Sequence, residues 1–169
     1  MALDNKHPDF TVFQAMMNEL CGWECCNIQQ ELESKEYGAC SFDMNNHHIL
    51  FRVGKITPTK IGQFVTFWKR IGNGPIMPYD VADPFDFFVI AARYKEHCGL
   101  FIFSKDVLYA KVIISKNGKG GKRALRIYPV WDVADNAQAK KTQAWQLQYF
   151  YEIRPHRSVD KNVFLKLFA

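Results

Sequence analysis

Residues 85–92, FDFFVIAA, are an almost unbroken apolar run, and after the polar stretch RYKEHCG the chain returns through LFIFS. A strand with one solvated face alternates apolar and polar residues, whereas a strand covered on both faces does not. The two runs therefore predict a hairpin at the centre of a sheet, with other elements packed on each side. Such a sheet needs covering layers, so the expected class is α/β (α+β), with a single mixed central sheet flanked by helices. The high aromatic content, 15% with fourteen Phe, agrees, because aromatic side chains fit pleated surfaces.

The remaining elements are read around this centre. In HPDFTVFQAMMNELCGWE, Asp9 is the expected N-cap, Phe10, Phe13, Met16, Met17 and Leu20 recur at helical spacing, and Gly22 is the stop. Asn45 and Asn46 separate two strand-like runs and predict a tight hairpin, since Asn tolerates positive φ. The stretch TPTKIG reads as a loop between two strands. The alternative is a helix starting near Pro58 with Ile61, Val65 and Trp68 on one face. KDVLYAKVI fits either helix or strand, KNGKGGKR is a basic glycine loop, and ALRIYPVW leaves it as a strand. From DVADNAQAKKTQAWQLQYFYEI a long helix is expected, capped by Asp135 and running through Tyr151. At 169 residues, without repeats or linkers, the chain reads as one domain, with an acidic helical lead (1–36), a core (37–151) and an extension (152–169).

Charge is unevenly placed. Residues 1–50 hold eight acids and two lysines, a balance of −6, while residues 51–169 hold twenty basic groups and nine acids, a balance of +11. Two basic groups stand out. Arg52, Lys55, Lys60, Lys69 and Arg70 fall in residues 51–70 without an acid, and Phe67 and Trp68 lie among them. Lys116, Lys119, Lys122, Arg123 and Arg126 follow, spaced by glycines. Cations on exposed backbone suit phosphates, and an aromatic ring beside them can stack on a base, so DNA or RNA is the expected partner. Trp68 is the expected stacking or packing residue.

Five cysteines, with Cys25 and Cys26 adjacent, argue against a zinc site and for reduced thiols. No apolar stretch approaches a membrane span, and the expected location is cytoplasmic, away from membranes. The glycine loop lacks the Gly-Lys-Ser/Thr ending of a nucleotide loop and leads into a strand, which excludes that reading. His47 and His48 would point to opposite faces, and His97–Cys98 lacks a third member.

Asp86 opens the first buried strand and Lys105 ends the second. An acid and a lysine on neighbouring strands is the pairing used by metal-dependent nucleases, where carboxylates hold Mg²⁺ and the lysine positions water. Asp86 and Asp83 are the candidate metal ligands, and Asp86 and Lys105 the candidate catalytic pair. Phe103 stands two residues before the lysine, where an active site wants another acid. Asp83, Glu36 or Glu19 would have to replace it.

FRVGKITPTKIGQFVTFWKR, FDFFVI, GLFIFSKDVL, GKRALRIYPVW and AKKTQAWQLQYF together resemble the MepB family, over residues 37–150. The TPTKxGQFVTxWKR core is long enough to be specific. The family takes its name from a protein encoded beside a bacterial multidrug efflux pump. The resemblance implies a restriction-endonuclease-like fold and, through it, nucleic-acid binding without establishing cleavage. The leading expectation is a cytoplasmic nucleic-acid-binding protein with weak or absent catalysis. The alternatives are a Mg²⁺-dependent nuclease and a protein-interaction module.

Overall fold

A computed structural model describes residues 5–154 and 157–169. Its centre is the predicted hairpin, β6 (Phe87–Tyr94) and β7 (His97–Ser104), paired antiparallel from Phe87↔Ser104 to Tyr94↔His97. Four more strands complete a six-stranded sheet: β1 (Cys26–Gln30), β2 (Cys40–Met44), β3 (His47–Val53) and β9 (Phe150–Ile153), in the order β1-β2-β3-β6-β7-β9. The β3–β6 pair is parallel and the others antiparallel. The architecture is thus α+β with a mixed central sheet. The β2–β3 turn is the Asn45–Asn46 pair, both at positive φ.

The apolar run of β6 serves two cores. Phe87, Val89 and Ala91 face one layer with Phe10, Phe13, Phe42 and Phe51, while Phe88, Ile90 and Ala92 face the other with Phe101 and Phe103. On the first side lie α1 (Pro8–Cys21) and α4 (Lys161–Leu167), the latter inserting Phe164 and, just past its end, Phe168. On the second side lie α2 (Lys105–Ala110), α3 (Ala137–Gln146) and a second sheet. That sheet contains β4 (Lys55–Ile56), β5 (Gln63–Thr66) and β8 (Ala124–Ile127), in the order β4-β5-β8. It is docked by Phe67, whose ring stacks on Phe88 with centroids 4.0 Å apart. Burial of rings this size supplies about 2 kcal/mol or more each, so this stack is a principal anchor of the second sheet.

The central sheet is mixed as expected, with the small sheet beside it, and residues 57–62 are the expected loop between two strands, the hairpin of that second sheet. Other expectations need correction. The long helix ends at Gln146; a 3-10 turn, Leu147–Tyr149, leads into β9. Phe150 and Tyr151 favour strand, and Gly99 on β7 leaves room where the Phe150 ring sits; a Cβ there would strike it. The α3 cap is Asn136, whose Oδ1 accepts from the Ala139 N–H at 2.8 Å, and the α1 cap is His7, whose Nδ1 accepts from Asp9 N–H at 3.1 Å. Asp9 instead pairs with Arg93. Gly22 stops α1 in the left-handed conformation, and KDVLYA resolves as helix because Ser104 caps it. Among the described residues, no helix is long and apolar enough to cross a membrane.

Candidate nucleic-acid interface

The first basic group is largely neutralised by the acidic lead. Arg52 follows Phe51 into the interior of β3 and is 1% exposed. Its Nη2 donates to Glu31 Oε2 at 2.7 Å and its Nη1 to the Phe51 carbonyl at 2.8 Å. Expected as a phosphate contact, Arg52 presents no surface to one. The reason is its place in a fully covered strand, where a cation is tolerated only when paired. Lys55 pairs with Glu36 at 2.6 Å, Lys69 with Asp83 at 2.7 Å and Arg70 with Glu33 at 3.1 Å. The Arg70 guanidinium also lies 5.4 Å over the Trp68 ring. Of this group only Lys60, exposed on the β4–β5 loop, stands outside any ion pair among the described residues.

Lys60 joins the second group. A groove of about 580 Å³ runs between the small sheet and α3, lined by Lys60, Lys111, Lys122, Arg126, Trp145 and Asp135. Its four cations come from four elements: the β4–β5 loop, the end of α2, the glycine loop, and β8. None of the four is in an ion pair among the described residues. Arg126 donates to Thr57 Oγ1 at 3.0 Å and lies 6.0 Å over Phe64; Lys111 lies 5.2 Å over Trp145. One wall is fixed by two amides one helical turn apart on α3. Gln146 accepts from Tyr128 N–H at 2.9 Å and donates to the Arg126 carbonyl at 3.0 Å, while Gln143 donates to Asp132 O at 2.8 Å.

The glycine loop is a tight turn in which the Lys116 and Lys119 backbones exchange hydrogen bonds. Asp80 holds it, accepting from Ala82 N–H at 3.0 Å, Ser115 Oγ at 2.7 Å and Gly118 N–H at 3.2 Å, and these bonds keep its carboxyl below the ordinary range. Gly121, at φ 84°, packs where a Cβ would meet Pro78 and the Ser115 backbone. Lys119 and Arg123 are exposed outside the groove, Arg123 donating to Ile76 O at 3.3 Å.

The acid and lysine of the strand pair are adjacent in backbone, Lys105 N–H donating to Asp86 O at 2.9 Å, yet their side chains serve different partners. Asp86 Oδ2 accepts from His48 N–H at 2.8 Å and lies 3.9 Å from His47 Nδ1. The Lys105 ammonium is held by the carbonyls of Val81 and Asp83, above the Phe85 ring. Asp83 takes Lys69 on one oxygen and the Asp80 N–H on the other. Phe103 is fully buried against Trp145 and Tyr149, and Glu36 is spent on Lys55. Among the described residues, no three His, Cys, Asp or Glu side chains are grouped to hold a metal.

Lys111 and the two glutamines are the residues that sequence reading missed. Lys111 sits in the stretch that fitted both helix and strand, and only its placement at the end of α2 directs it to the groove. The periodicity of α3 marks a helix and carries no sign of what Gln143 and Gln146 reach.

The sequence profile of the MepB-like family matches residues 31–152. The crystal structure of MepB is similar at TM-score 0.75 and 28% identity, over 90% of this chain and 99% of that one. A bacterial homing endonuclease is similar at TM-score 0.43 and 17% identity, over 83% of this chain and 89% of that one, a likeness too weak to bear on fold or chemistry. No curated protein matches. The matched span takes in β2 through most of β9, with the small sheet and every wall of the groove, and the chain belongs to the MepB-like family.

Proposed function

We propose that this chain is a cytoplasmic nucleic-acid-binding protein that grips the phosphate backbone of DNA or RNA in the groove between the small sheet and α3, with little or no hydrolysis. The observation that carries this reading is the convergence of Lys60, Lys111, Lys122 and Arg126, from four separate elements, none of them in an ion pair among the described residues. Folding separates two kinds of cation in this chain: those spent on internal acids and those left facing a shared concavity. Held by the scaffold, the second kind is prepared for a polyanion. Lys119 and Arg123 would extend the contact along the backbone. Asp86 and Lys105, tied to local backbone groups, serve the fold at the sheet end and do not form a Mg²⁺ site with Asp83.

The test is fluorescence-polarisation binding of labelled duplex and single-stranded DNA and of RNA across a salt series, with Mg²⁺ and product gels in parallel. Four phosphates neutralised give a log–log salt slope of about −3.6 on duplex DNA, so affinity should fall on the order of 10²-fold between 50 and 200 mM salt. Binding with that slope and intact substrate is the expected result. Cleavage abolished by Asp86→Ala would establish a nuclease instead, and absence of binding at low salt would remove nucleic acid as the partner.

A further inference from the structure

The acidic segment 31–39 leaves and rejoins the fold at one point, where Glu31 N–H donates to the Ala39 carbonyl at 2.9 Å. Between these ends it lies across the outward face of β5. Tyr37 packs edge-on to Phe64, Ser34 Oγ accepts from Thr66 Oγ1 at 3.0 Å, and Glu33 takes Arg70 on both oxygens, at 3.1 and 3.3 Å. Glu36 takes Lys55 at the other end. Phe64, under Tyr37, is the same ring over which the groove's Arg126 lies. The covered face is therefore continuous with the groove.

The contacts differ in how firmly they are made. Glu31 is tied to the buried Arg52 and anchors the base of the segment. Glu33 and Glu36 are 53% and 62% exposed, and the cations they hold are 32% and 52% exposed. Ion pairs so open to water are weak and readily exchanged. The Glu33 carboxylate engages the Arg70 guanidinium with two oxygens, as a phosphate would, and the guanidinium lies over Trp68. This cleft, about 660 Å³, holds Trp68, Arg70, Glu33 and Tyr79 along its walls.

We infer that the nucleic-acid surface extends across the outward face of the small sheet to Lys55, Arg70 and Trp68, and that residues 32–36 are a removable acidic cover whose Glu33 and Glu36 occupy the positions of two backbone phosphates. The inference rests on the nucleic-acid reading of the groove. With the cover closed only the groove is occupied; when the cover is removed, phosphates replace the two carboxylates, while the Arg52–Glu31 anchor stays and the less exposed Lys69–Asp83 pair remains closed.

The experiment compares Glu33→Gln with Glu36→Gln, as a double variant, against Glu19→Gln with Glu24→Gln. The latter makes the same charge change at exposed acids outside any ion pair among the described residues. With labelled duplex DNA in a salt series, the cover variant should bind about tenfold tighter than the control at low salt, with a log–log slope steeper by about 2, since each freed cation adds about 0.9. Adding Lys55→Ala and Arg70→Ala to the cover variant should return both quantities to the control's. Equal affinity and slope for cover and control variants, in a chain that binds DNA, would overturn the cover and leave the groove standing. Failure of the cover variant and of the unsubstituted chain alike to bind would overturn both.

Discussion

Replacing Lys60, Lys122 and Arg126 together with alanine is expected to flatten the salt dependence of DNA binding by about 3 units of log–log slope, roughly 0.9 for each phosphate no longer neutralised. At 50 mM salt the affinity should fall by at least about 100-fold, since each cation–phosphate pair is a charge-assisted bond of about 1.5 kcal/mol or more. Lys60 and Lys122 are exposed, so their removal leaves no buried group unpaired; Arg126 loses its bonds to the β4–β5 loop and its contact with the Phe64 ring. Lys95, Lys161 and Lys166, exposed away from the groove, supply the matched control, and their alanine variant should keep most of the affinity and a slope near the original. Equal losses in the two triple variants would mean that net charge, and not the groove, attracts the polyanion.

The largest effect on stability is expected at Glu31. Its carboxylate is the acid paired with Arg52, whose guanidinium is 1% exposed and whose Nε has no hydrogen-bond partner among the described residues. Glu31→Ala leaves that charge buried and unpaired. Breaking a buried pair costs about 3–5 kcal/mol, and the partial exposure of Glu31 puts this case at about 3. For a chain of this length that lowers Tm by about 6–12 °C. Adding Arg52→Met should recover some of the loss, because an apolar chain of similar length needs no partner. A calorimetric Tm unchanged in Glu31→Ala would show that the Arg52 charge finds its compensation elsewhere.

The central hairpin and the first helix could be read from sequence because burial writes a period into them. Runs such as FFVIAA report covering on both faces, and Gly22 and the two asparagines mark turns by backbone preference alone. Phe150 and Tyr151 misled because helix formers precede them without a break, and what turns them into strand is the space beside Gly99, which is a tertiary fact. Charge was harder still. Arg52 and Lys60 look alike as cations of one basic stretch, yet the strand residues around Arg52, ILFRV, were the one available sign that it goes inside. The pairing of Glu31, Glu33 and Glu36 with cations 19 to 37 positions away has no local signature. Thus three acids of the lead neutralise three cations of the basic body across a shared face, and the open cations are fewer and better grouped than the sequence suggests.

The most direct test of the groove is a backbone amide NMR titration of the isotope-labelled protein with a short DNA duplex at low salt. The expected perturbations gather on Lys60, Lys111, Lys122, Arg126 and Gln138. Shifts confined to Asp86, Lys105 and the sheet end, or no shifts at any DNA concentration, would contradict the assignment of the groove as the nucleic-acid interface.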